Sequence, residues 1–101
     1  MDNFTRVAKK SELGLGSSKK VEVGGAEVAL FNIGGDIYAI DDMCLHRGGP
    51  LSEGAVEDKV VTCPWHGWQY DVTTGVCHTN PAVSQRKHEV KVEGDDILIS
   101  G

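Results

Sequence analysis

Apolar and polar residues alternate in short bursts along this chain, and glycine pairs or small polar residues separate the bursts. Alternation of period two is the signature of a strand with one buried face. The pattern predicts a first strand from Phe4 to Ala8, then a Gly- and Ser-rich connection from Ser11 to Ser18. Lys20-Val21-Glu22-Val23 alternates, Gly24-Gly25 turns, Ala26 to Ile33 continues as a strand, Gly34-Gly35 turns, and Asp36 to Ile40 returns. These three strands predict an antiparallel meander. A loop from Asp41 to Leu51 follows, then one strand from Val56 to Thr62, a loop, and a strand from Trp68 to Val72 turned by Thr73-Thr74-Gly75. Cys77 to Ser84 is irregular. His88 to Val92 and Ile97 to Ser100 close the chain as a hairpin across Gly94-Asp95-Asp96. No segment keeps a helical period over ten or more residues. The expectation is one all-β domain over 1–101, a small antiparallel barrel or sandwich.

Composition narrows the function. A chain of 101 residues with 40% hydrophobic and 25% charged residues is long enough for a modest core. The net charge of −5 argues against nucleic acid, where a basic face supplies most of the affinity. No apolar run approaches the roughly 20 residues that span a membrane. The first residues lack the basic and apolar regions of an export signal, so a cytoplasmic location is expected. Three cysteines are an odd number and do not suggest a disulfide framework. No nucleophile–base constellation or phosphate-binding glycine loop is visible, so no small-molecule substrate pocket is expected.

The chemistry lies between Cys44 and His66. Cys44-Leu45-His46 is followed, after sixteen residues, by Cys63-Pro64-Trp65-His66. Each cluster offers one thiolate and one imidazole, ligands suited to iron, zinc or copper. Each is short enough to form one loop between two strands, so the two loops can face each other. Gly48-Gly49 and Gly67 flank the ligands and allow close backbone approach. Pro50 and Pro64 stiffen the same loops. A tetrahedral Cys2His2 zinc site, stapling an interaction module, would use the same four side chains.

The pattern Cys44-x-His46 … Cys63-x-x-His66 resembles the ligand set of Rieske [2Fe–2S] proteins. In that family two Cys hold one iron and two His the other. Cys63-Pro64-Trp65-His66-Gly67-Trp68 is similar to the second loop of Rieske ferredoxins and ring-hydroxylating oxygenases. Asn80-Pro81-Ala82 falls where the family has a proline-containing third loop over the cluster. The resemblance covers the whole chain and implies a small antiparallel fold of the Rieske type. Its cluster-binding subdomain, made of two hairpin loops, would span about 41–82. It implies one [2Fe–2S] cluster bound by Cys44, His46, Cys63 and His66.

With two ferric ions, two sulfides, two thiolates and neutral imidazoles the cluster has no formal charge. All-thiolate ligation would make it a dianion, so histidine ligation raises the potential. In Rieske proteins of respiratory and photosynthetic complexes each loop carries a second Cys, and the pair forms a disulfide. Gly49 and Trp65 stand at the matching positions here, so that bridge is absent. Trp68 replaces that branch's hydroxyl donor, whereas Tyr70 matches its tyrosine. The resemblance therefore implies a low-potential carrier, on the order of −150 mV.

The chain is too short to carry an oxygenase's catalytic domain. It is expected to be a one-electron carrier, not an enzyme, between an NAD(P)H-dependent flavoprotein reductase and a terminal oxygenase. A small Rieske subunit of a nitrite reductase is the related alternative. Cys77 reads as a small buried hydrophobe, and neither His78 nor His88 as a ligand. Trp65 and Trp68 are expected to pack around the cluster. Asp41, Asp42, Glu53, Glu57 and Asp58 are candidates for an acidic docking rim or a merely solvated face.

Overall fold

A computed structural model describes residues 4–43, 49–65 and 67–100. Cys44, His46 and His66 lie outside the described residues. Among the described residues ten strands appear in order: β1 (Phe4–Lys9), β2 (Ser18–Val23), β3 (Ala26–Ile33), β4 (Asp36–Asp41), β5 (Ala55–Glu57), β6 (Val60–Thr62), β7 (Gln69–Asp71), β8 (Lys87–His88), β9 (Val90–Glu93) and β10 (Asp96–Ser100). Single 3-10 turns at Lys10–Glu12 and Leu51–Glu53 are the only helical pieces among the described residues.

The strands form three antiparallel sheets, ordered β1-β10-β9, β2-β3-β4-β8 and β5-β6-β7. The second is the middle layer. Along β3, Val28 and Leu30 join one apolar cluster with Ile37, Ile97 and Ile99. The intervening Ala29 and Phe31 join another with Leu51, Val61, Cys63, Tyr70 and Cys77. A strand covered on both faces has no need of alternation, which explains the continuous apolar run Val28-Ala29-Leu30-Phe31. The second cluster takes in Leu51 and Cys63, at the described ends of the ligand loops, so β3 and β4 support both the base of the molecule and its site.

The meander appears as expected, in register Val21↔Val28 and Phe31↔Tyr38. Two expected strands are divided. The segment 56–62 is a hairpin, with Val56 opposite Val61. Its turn rests on Asp58, at a φ of 54°, and a short polar side chain makes Asp one of the few residues other than glycine to visit that region. The segment 88–92 is split at Glu89. His88 pairs with Ala39 of β4, whereas Val90 pairs with Ile99 of β10. Buried His88, exposed Glu89 and half-buried Val90 preserve the alternation while the chain changes sheets.

No helix among the described residues is long and apolar enough to cross a membrane.

Candidate metal centre

The second ligand loop connects β6 to β7, which pair as Val61↔Tyr70 and Thr62↔Gln69. The Cys63 N–H donates to the Trp68 carbonyl at 2.7 Å and closes the loop at its stem. Cys63 is 1% exposed, whereas Pro64 and Trp65 are exposed. The Trp65 N–H donates to Cys63 Sγ at 3.4 Å. An amide donor aimed at sulfur favours thiolate over thiol, the state a metal ligand needs.

The first loop leaves β4 and is closed by an antiparallel bridge between Met43 and Pro50. Its stem is dense in hydrogen bonds. The Leu51 N–H donates to the Asp42 carbonyl at 2.8 Å, and the Ser52 N–H to Asp42 Oδ1 at 2.7 Å. Asp42 is 3% exposed, so it serves the stem and is withdrawn from any docking rim. Half-buried Asp41 is likewise engaged, with Oδ1 2.7 Å from His88 Nε2. Glu53, Glu57 and Asp58 remain exposed.

The two loops meet at Gly49. A Cβ on that residue would lie 2.8 Å from Cys63 Sγ, 2.9 Å from Trp65 Cγ and 3.1 Å from Trp65 Cβ. Only glycine fits without movement. The approach brings the first loop to within a side-chain width of the described ligand candidate. Gly49 and Trp65, matched above to a disulfide in another branch, lie against each other here.

The third loop lies alongside β7. The Gln69 carbonyl accepts from the His78 N–H at 2.8 Å, and the Gln69 N–H donates to Thr79 Oγ1 at 3.0 Å. Asn80 accepts from the Ala82 N–H through Oδ1 and donates its own N–H to Cys77 Sγ at 3.3 Å. Cys77 is fully buried in the cluster that contains Cys63 and Tyr70, in keeping with a small apolar residue. Trp68 packs on that cluster, whereas Trp65 is 51% exposed. Trp65 is thus a surface residue over Gly49 rather than a buried shield.

Asp71, at the end of β7, fixes the following turn. Burial works against its carboxylate, but hydrogen bonds from the Thr73 hydroxyl and N–H, with Lys59 nearby, outweigh that cost and hold its pKa below 3.8.

Cys63 is the one ligand candidate among the described residues. A buried cysteine with an amide donor on its sulfur lies beneath a second loop held at contact distance. The fold and site define a small all-β domain of the kind that holds an iron–sulfur centre between two loops. Residues 3–99 match the Rieske [2Fe-2S] domain family. The ferredoxin component of biphenyl 2,3-dioxygenase from Rhodococcus jostii is 38% identical over 97 residues, which are 95% of this chain and 91% of that protein. The ferredoxin of carbazole 1,9a-dioxygenase from Nocardioides aromaticivorans superposes with a TM-score of 0.89 at 32% identity, covering 96% of both chains. A chain in a complex of reduced oxygenase and oxidised ferredoxin of carbazole 1,9a-dioxygenase superposes equally well, at 32% identity over 97% of this chain and 93% of that one. The chain belongs to the Rieske [2Fe–2S] family, whose cofactor is a binuclear cluster with Cys ligands on one iron and His ligands on the other.

Proposed function

We propose that this chain is a single-domain ferredoxin, with its cluster-binding part at about 41–82, that carries single electrons to a terminal ring-hydroxylating oxygenase. Cys44 and Cys63 hold the inner iron, and His46 and His66 the outer one. The bound cluster supplies a one-electron redox couple. The protein's part is to hold that couple rigidly and to present it at a surface. Gly49 permits the two loops to close, the Trp65 amide stabilises the Cys63 thiolate, and Tyr70, buried in the same apolar cluster as Cys63, is the candidate donor to a ligand sulfur.

The observation that carries this reading is the contact at Gly49. It puts the stems of both ligand loops within one side chain of each other, in a chain whose relatives are ferredoxin components of dioxygenase systems. Exposed Met43 and Trp65 flank the two loops and offer apolar contact to an oxygenase, with Glu53, Glu57 and Asp58 as the acidic part of the surface. The electron donor is an NAD(P)H-dependent flavoprotein reductase, and the location is cytoplasmic. Redox encounters of this kind bury little area and exchange quickly.

Reconstitution tests the proposal. Holoprotein mixed with a flavoprotein reductase and a ring-hydroxylating oxygenase should support NADH-dependent hydroxylation of the oxygenase's aromatic substrate, slowing as ionic strength rises. If the reductase cannot reduce the holoprotein, or the reduced holoprotein cannot reduce any such oxygenase, the assignment of partners fails.

A further inference from the structure

Residues 41–43 form the last described stretch before the first ligand loop, and their backbone groups are tied down from three directions. The Asp41 N–H donates to the Arg86 carbonyl at 2.9 Å, and the Asp42 N–H to the Glu27 carbonyl at 3.1 Å. The Asp42 carbonyl accepts from Leu51 on the far side of the loop. The two flanking carbonyls, those of Asp41 and Met43, are held by one side chain. Gln85 Nε2 donates to Asp41 O at 2.8 Å and to Met43 O at 2.6 Å.

Gln85 lies 42 residues from Met43, just beyond the third loop, and is 4% exposed. Both of its partners are carbonyls, which only accept, so the amide nitrogen must face them and both of its hydrogens are used. The residue is itself fixed. Its N–H donates to the Gly75 carbonyl at 2.6 Å, and its own carbonyl would lie 2.4 Å from a Cβ on Gly75. Gly75 therefore allows the 85 segment to lie flat against the turn that follows β7. A chain of contacts runs from β7, which emerges from the second ligand loop, through Gly75 and Gln85 to the stem of the first.

We propose that Gln85 is a positioning residue that sets the direction in which the chain leaves β4 at Met43, and so holds the stem on which Gly49 meets the second loop. Two convergent bonds to carbonyls on either side of Asp42 fix the peptide planes there as a pair. His88 adds a hold on the Asp41 side chain, but Gln85 alone, among the described residues, grips the backbone on both sides of Asp42 through its side chain.

The test uses holoprotein with Gln85→Met, which keeps length and volume and removes both donors, and Gln85→Glu, whose carboxylate cannot donate. Native-state hydrogen exchange is read at the Asp42, Leu51 and Ser52 amides and, as a control, at Leu98 and Ile99 in β10. The stem amides should exchange about tenfold faster in either variant, with the β10 amides within about twofold of wild type. Cluster release to an iron chelator should accelerate by a similar factor, and the spread of EPR g values should broaden as ligand geometry becomes heterogeneous. Unchanged stem exchange in a folded variant would overturn the proposal. So would acceleration of the β10 amides by the same factor, or global unfolding of both variants, since each would make Gln85 a general stabilising residue. Because exchange is read on the chain itself, failure here leaves the identity of the redox partners untouched.

Discussion

At Gly24, Gly25, Gly34 and Gly94, in the turns of the two base sheets, a Cβ would meet nothing within 4 Å; at Gly49, Gly54 and Gly75, around the site, it would land 2.8 Å from Cys63 Sγ, 2.2 Å from the Thr62 carbonyl and 2.4 Å from the Gln85 carbonyl. The base uses glycine to reverse the chain, as Gly67 does within the second ligand loop, whereas Gly49, Gly54 and Gly75 let segments touch around the site. The base is held by strand ladders around a buried aliphatic cluster. Irregular segments hold the site, through side-chain-to-backbone bonds from Asp42, Gln85 and Asn80. Stability and ligand geometry therefore reside in different interactions and can be perturbed separately.

The largest effect on stability is expected in the base. Ile97→Ala removes most of a fully buried side chain from the aliphatic cluster, at a cost of about 2–5 kcal/mol. Denaturant unfolding should show that loss, while the EPR spectrum of the folded fraction stays as in wild type. A changed spectrum would mean that the two regions are not separable. Gly49→Ala reverses the balance. Overpacking against Cys63 and Trp65 should destabilise by about 1–3 kcal/mol, but iron and sulfide content should fall sharply, because the added methyl separates the ligand loops. Full cluster occupancy in that variant would remove Gly49 from the site. Gly34→Ala, at a φ of 62° with open space around it, sharpens the contrast. It should cost about 1–2 kcal/mol through backbone strain alone, with cluster content unchanged.

The smallest effect concerns pH. The folded-state pKa of Asp71 lies below its ordinary value, so its ionised form adds stability above the unfolded-state pKa, and that share is lost as pH falls through the folded one. Asp71→Asn should therefore lose that share at neutral pH and approach wild type as pH falls below about 4, which flattens its acid limb. An identical acid limb in both proteins would show that the Thr73 and Lys59 interactions add no ionic stabilisation.

The base was legible in the sequence because its signals are local and periodic. Alternation in Lys20–Val23, paired glycines at 24–25 and 34–35, and the closing hairpin each specify their neighbours. Spacing alone also singled out Cys63 as a ligand candidate, and the structure places it buried with an amide donor on its sulfur. What escaped depends on contacts distant in sequence. Asp58 carries a turn with no glycine to announce it, although Asp is among the residues that tolerate that conformation. The division at Glu89 is invisible because alternation survives a change of sheet. Asp42 reads in the sequence as either a docking-rim charge or part of a solvated face, and only the fold reveals the Ser52 amide beside it. Gln85 has no motif at all, since a side-chain amide gripping two carbonyls 42 and 44 residues away leaves no period to detect.

In the proposed site His46 and His66 ligate the reducible iron, and Cys44 and Cys63 the other. Electron paramagnetic resonance of the anaerobic, dithionite-reduced holoprotein, with nitrogen hyperfine couplings resolved, tests it most directly. The expected result is a rhombic signal with an average g below the free-electron value and strong coupling to two imidazole nitrogens, one lost in each of His46→Cys and His66→Cys. A reduced cluster with no strongly coupled nitrogen, or a colourless protein carrying stoichiometric zinc after anaerobic preparation, would contradict it.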